Sequence, residues 1–214
     1  MKCLGYAAPC LYAVLFLSCA AQAQLPSKQN TVPGKPAANS ATLDPGAITN
    51  GVYSNTAFGF TYKLLFGWVD RTQDLREDST DPKKSALLLA VFERPPEASG
   101  DSVNSAVVVA AEVASSYPGL RNAENYFGPL TELTKSKGLK VVNEPYEYSV
   151  GAKQLMRGDF SKPLGSLTMH QSTLVMMDKG YVVSFTFIGE SEDEVDRLVE
   201  GLSFGRKETP APHK

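Results

Sequence analysis

Residues 165–204 read GSLTMHQSTLVMMDKGYVVSFTFIGESEDEVDRLVEGLSF, and no other stretch restricts the fold as tightly. Two β-rich runs flank Asp178-Lys179-Gly180, a short polar, glycine-ending break of the kind that closes a hairpin. In the second run Tyr181, Val183, Phe185 and Phe187 share one face, while Val182, Ser184, Thr186 and Ile188 share the other, because side chains alternate along a strand. Ser191 and Glu194 have the spacing of a capping box. Val195, Leu198, Val199 and Leu202 follow as an apolar helical stripe, so the helix is expected to run on to residues 202–204. Glu192, Asp193, Glu194 and Asp196 crowd its first turns, where the helix dipole favours negative charge. The unit is strand, turn, strand, helix.

The preceding chain supplies more of the same material. Phe58, Phe60 and Tyr62 recur at period two in an aromatic opening strand, with Asn55 in a bend. A turn through Gly67 places the only tryptophan, Trp68. Residues 69–84 are charged and read as a surface loop. SALLLAVF at 85–92 and SAVVVAAEV at 105–113 are apolar runs of strand length. Asn122 caps a helix whose buried face is Ala123, Tyr126, Phe127, Leu130 and Leu133. Pro129 is expected to kink or split that helix, and Gly138 suits the position after its end. Residues 139–142 begin a strand ended by Pro145, residues 146–149 and 153–160 form a hairpin, and residues 161–165 make a turn.

The ends of the chain bear on compartment. Lys2, the apolar run LYAVLFLSCA and Ala21-Gln22-Ala23 fit a cleavable leader over residues 1–23, cut after Ala23. The alternative is a lipid anchor at Cys19, although Phe16 stands where an aliphatic residue is expected. The run is short for a membrane span of roughly 20 residues, and the mature chain is expected to have no transmembrane segment. Cys3, Cys10 and Cys19 all lie in the leader, so the expected mature domain has no disulfide and no cysteine ligand or nucleophile. Residues 24–50, rich in Gln, Pro, Ala and Asn, read as a disordered linker. The domain is expected over 51–204, with a disordered tail over 205–214. Loss of Lys2 leaves 20 basic against 23 acidic residues, a net charge of −3. That balance argues against nucleic-acid binding, which needs a basic face.

The order of elements, with Gly67-Trp68 after the opening strand and KGYVVSFT at 179–186 leading into a capped helix, resembles the PsbP-like and DcrB-like superfamily. The resemblance implies an α+β fold, an antiparallel β-sheet flanked by helices on both faces. It carries no catalytic signature, and the group includes an extrinsic photosystem subunit and many exported bacterial proteins. Where a proline often precedes Gly-Trp, this chain has Phe66.

Candidate chemistry is sparse. His170 is the only histidine between residues 51 and 204, and Ser166, Thr168 and Ser172 share its strand face. A Ser–His pair there is conceivable, against a reading of His170 as a structural strand residue. The loop carboxylates Asp70, Asp74, Glu77, Asp78 and Asp81 alternate with basic residues and match no calcium-loop spacing. No P-loop or dinucleotide fingerprint occurs, and neither metal nor cofactor is expected. Trp68, Arg157 and His170 are the candidate binding residues, and Tyr146 and Tyr148 form a same-face aromatic pair. The expected function is that of a non-catalytic, exported binding module of the bacterial cell envelope, periplasmic or secreted, whose partner is an envelope protein or component. The alternatives are a carrier for a small apolar ligand and a cryptic hydrolase using His170.

Overall fold

The computed structural model describes residues 43–77, 85–98 and 100–205. The expected leader with Cys19, the linker as far as residue 42, part of the acidic loop and the tail from residue 206 lie outside the described residues. The strands are β1 (Ala47–Thr49), β2 (Val52–Asn55), β3 (Phe60–Lys63), β4 (Val69–Asp70), β5 (Ser85–Phe92) and β6 (Ala106–Val113). They continue with β7 (Lys140–Val150), β8 (Lys153–Leu164), β9 (Leu167–Asp178), β10 (Tyr181–Gly189) and β11 (Leu202–Phe204). The helices are α1 (Thr72–Glu77), α2 (Ala123–Ser136) and α3 (Glu192–Val199). The fold is α+β, with antiparallel pairing in two sheets of order β1-β2-β3-β11 and β4-β5-β6-β10-β9-β8-β7.

The β9–β10 hairpin is the one expected. Lys179 and Gly180 both take positive φ, 50° and 79°, the backbone of a two-residue turn whose twist matches the strands. Alternation along β10 then divides the core. Val183, Phe185 and Phe187 join Tyr53, Phe60 and Tyr62 of the small sheet and Val195, Leu198 and Val199 of α3. Val182 instead joins Tyr126, Phe127 and Leu130 of α2. As expected, Asn122 caps α2 by accepting from Asn125 N–H at 2.9 Å, and Ser191 caps α3 by accepting from Glu194 N–H at 3.2 Å.

Several expectations change. The described residues form two sheets rather than one, and they reach back into the segment read as linker. There β1 pairs with β2 across Asn50-Gly51; its three residues are all exposed, so no apolar pattern announces it. The loop expected over residues 69–84 carries β4 and α1. The last helix stops at Val199, and Leu202–Phe204 is strand β11 on β3. Gly201 allows this, because a Cβ there would lie 2.8 Å from the Tyr62 ring and 3.1 Å from the Lys63 carbonyl.

Prolines also mislead. α2 runs through Pro129, and β7 runs through Pro145. Proline is tolerated there because β7 is an edge strand whose register shifts on both sides of Asn143. β8 continues through Pro163 to Leu164. Its ladder with β7 ends at Ser161, so Pro163 sits where no strand lies on that side.

Where α2 meets the sheet, a Cβ on Gly158 would lie 2.5 Å from the Phe127 ring. Phe127 is buried and has no room to yield. Gly158→Ala is expected to destabilise the protein by about 1–3 kcal/mol through overpacking, read as a lower urea midpoint. A smaller loss in the double variant Gly158→Ala/Phe127→Leu would show that this contact is the cause.

Candidate functional site

A cleft of about 350 Å³ opens between β7, β8, β9 and α3. Strand alternation builds its floor: Arg157 and Asp159 on β8 and Ser172 on β9 point to the α3 side of the sheet. The register pairs Arg157 with Tyr146 and Asp159 with Ser172. Tyr146, Tyr148, Val142 and Asn143 come from β7, His170 from β9, and Glu192, Val195 and Asp196 from α3.

Arg157 and Asp159 are 8% and 9% exposed, so their charges survive only through partners. Arg157 Nε donates to Asp159 Oδ1 at 2.8 Å, and Nη2 donates to Asp196 Oδ1 at 2.7 Å and to Ser172 Oγ at 2.9 Å. The guanidinium lies 5.0 Å from the centre of the Tyr148 ring, within cation–π range. The Ser172 hydroxyl donates to Asp159 Oδ1. Asn143 Nδ2 and Tyr146 Oη donate to Asp159 Oδ2 at 3.1 and 3.0 Å. Both oxygens of Asp159 are thus engaged.

These contacts set the proton affinities. Burial works against ionisation of Asp159, but the bonds from Ser172, Arg157 and Asn143 outweigh it and hold the carboxyl below its ordinary value. Burial also opposes the Arg157 charge, yet its bonds to Asp159 and Asp196 raise its proton affinity further. The Tyr146 phenol is pushed up to about 12, first by burial; Arg157 opposes the shift and Asp159 adds to it.

Of the three candidate residues, two meet here. Arg157 is the centre of the network, and His170 stands at its side with Nδ1 3.7 Å from Glu192 Oε1. That distance is too long for a hydrogen bond. Trp68 is not a lining residue of the cleft; it is half-buried against the main core, while its neighbour Phe66 is fully exposed. The same-face pair Tyr146 and Tyr148 does line the cleft. Asp196, Asn143 and Ser172 complete the network. Asp196 had a signal, since it follows Glu192 by four residues and so shares its helix face.

Among the described residues no helix is long and apolar enough to cross a membrane. No protein-family model matches the chain, and no curated protein does. Solved structures similar to it include cyanobacterial PsbP from Synechocystis sp., at 14% identity, 72% coverage of this chain and 91% of that one, with a TM-score of 0.46. Another is the Ran-binding protein Mog1p of Saccharomyces cerevisiae, at 12% identity, 74% and 96% coverage, and a TM-score of 0.44. A third is LpqN, involved in cell envelope biogenesis of Mycobacterium tuberculosis, at 12% identity, 59% and 82% coverage, and a TM-score of 0.34. The group that the sequence resembles is thus represented among its structural neighbours by a PsbP.

Proposed function

We propose that this chain is a non-catalytic binding module, a PsbP-like α/β/α sandwich exported to the periplasm or beyond, which holds an envelope protein or component through the cleft at Arg157. The observation that carries the reading is how the cleft's polar groups are used. Ser172, which with Thr168 is the hydroxyl residue nearest in sequence on the His170 face, donates to Asp159 and accepts from Arg157, so its bonds do not run to His170. A hydrolase would need that hydroxyl poised against a base. The cleft is instead a rigid polar surface with Val142 and Tyr146 exposed at its mouth. The carrier alternative gains nothing from it, since Arg157, Asp159, Glu192 and Asp196 line it.

The test is photo-crosslinking in the native cells. A photoreactive residue at position 142, 43% exposed in the cleft, is compared with one at position 48, 37% exposed on β1. A discrete adduct from position 142 and none from position 48 is expected, on a chain whose intact mass begins at Gln24. No adduct from position 142 above that from position 48 would refute the binding reading. A mass that retains the leader would refute the processing.

A further inference from the structure

We propose that the Arg157 cleft takes a neutral, hydroxyl-rich ligand, one or two sugar rings of a glycan. This inference rests on the reading of the cleft as a binding site and specifies what it binds. The lining is of mixed sign: Arg157 against Asp159, Asp196 and Glu192. An anion would meet three carboxylates. A cation would meet a guanidinium that is fixed in place by three hydrogen bonds. A neutral ligand meets neither penalty.

The unused valences point the same way. Arg157 makes its bonds through Nε and Nη2, leaving the two N–H groups of Nη1 to donate. Asp196 uses Oδ1, leaving Oδ2 to accept. Glu192, its side chain 71% exposed, lies beyond hydrogen-bond distance of His170. The floor therefore offers donors at Arg157, and the α3 wall offers acceptors at Asp196 and Glu192. A hydroxyl both donates and accepts, so neighbouring ring hydroxyls can meet both. The Tyr146 ring and Val142, both exposed, offer the C–H face of a sugar an apolar side. The volume of about 350 Å³ lies at the lower end of the roughly 300–1,000 Å³ of small-ligand sites. It suits a short saccharide rather than a long chain.

An extended peptide fits less well. Peptide recognition by strand addition needs a regular free edge. The edge beside this cleft, β7, is interrupted by Pro145 and by register shifts between Val141 and Tyr146, features that block edge pairing.

The experiment is titration of the full chain with N,N′-diacetylchitobiose, maltose and cellobiose, followed through backbone amide chemical shifts. At least one saccharide is expected to give saturable shifts centred on Tyr146, His170 and Asp196. His170→Ala and Asp196→Asn, at partly exposed positions, are expected to keep the fold. Asp196→Asn should weaken that binding by about tenfold or more, the worth of one hydrogen bond to a charged group, and His170→Ala should weaken it too. Shifts outside the cleft only, or affinities unchanged in both variants, would overturn the proposal. Shifts at the same residues with an uncharged or a basic peptide, and none with the saccharides, would overturn the ligand class yet leave the binding reading intact. That reading fails separately, on a missing adduct from position 142.

Discussion

Replacing Arg157 by methionine is expected to cost about 3–5 kcal/mol of stability, because it strands a buried carboxylate. Methionine fills much of the arginine stem but returns none of the bonds to Asp159, Asp196 and Ser172. It also removes the guanidinium from the Tyr148 ring. Asp159, 9% exposed, would keep Asn143, Tyr146 and Ser172 as donors, but no cation. A loss of this size is a large part of the roughly 5–15 kcal/mol that holds a domain together. The double variant Arg157→Met/Asp159→Asn should recover a good part of it, with a coupling energy of about 1–3 kcal/mol in the double-mutant cycle. Urea unfolding at neutral pH of the wild type, Arg157→Met, Asp159→Asn and the double variant measures the cycle. A loss under about 1 kcal/mol for the single variant would mean the pair does not stabilise the fold.

The same pair fixes a pH dependence. In the wild type the Asp159 carboxyl titrates below its ordinary value. Its contribution is therefore present above the unfolded value, about 3.9, and is lost as pH falls through the folded value. Without Arg157 the burial effect is opposed only by the remaining donors, so the carboxyl titrates above its wild-type value. The variant then loses less stability than the wild type as pH falls through these values. The gap between wild type and Arg157→Met should accordingly narrow as pH falls toward about 4. A gap constant across that range would show that Asp159 does not carry it.

How much of this was legible in the sequence depends on how local the signal is. The β9–β10–α3 unit could be read because one turn, one alternation and one cap each act over a few residues. Strand β11 could not, since three residues after a helix continue its apolar stripe. Only the approach of Gly201 to Tyr62 turns them onto β3. Pro145 and Pro163 read as strand breaks because proline lacks a donor, and the sequence does not say that Pro145 falls in a register shift of an edge strand or that Pro163 has a partner strand on one side only. The cleft is non-local in the same sense. Arg157 and His170 could be singled out as unusual residues on strands, but Asp196 is the partner of Arg157 only because α3 packs back over the sheet at β9 and β10. Its acidic neighbourhood is fully explained by helix capping, which hid the ion pair. Trp68 drew attention as a single large aromatic, and the structure spends it half-buried against the core.

Phe185→Ala is expected to lose about 3–5 kcal/mol, the usual range for emptying a buried phenylalanine site. Phe185 is 0% exposed in the middle of β10, between Val109 of β6 and Leu174 of β9. Its ring meets Phe60 edge-on at 4.9 Å and Phe204 at 5.9 Å. It therefore touches rings of both β3 and β11, beside the Tyr62–Phe187 contact that also joins the sheets. The cavity cannot collapse easily, since the strands on both sides are locked in continuous ladders. Phe204, half-buried at the edge of the small sheet, touches the same ring from outside, so Phe204→Ala should lose less than half as much. Urea unfolding ranks the two variants, and amide exchange locates the damage. Phe185→Ala should deprotect β3 and β11 together with β10, whereas Phe204→Ala should deprotect β11 first. Equal losses in the two variants would place the junction of the sheets at the rim rather than at Phe185.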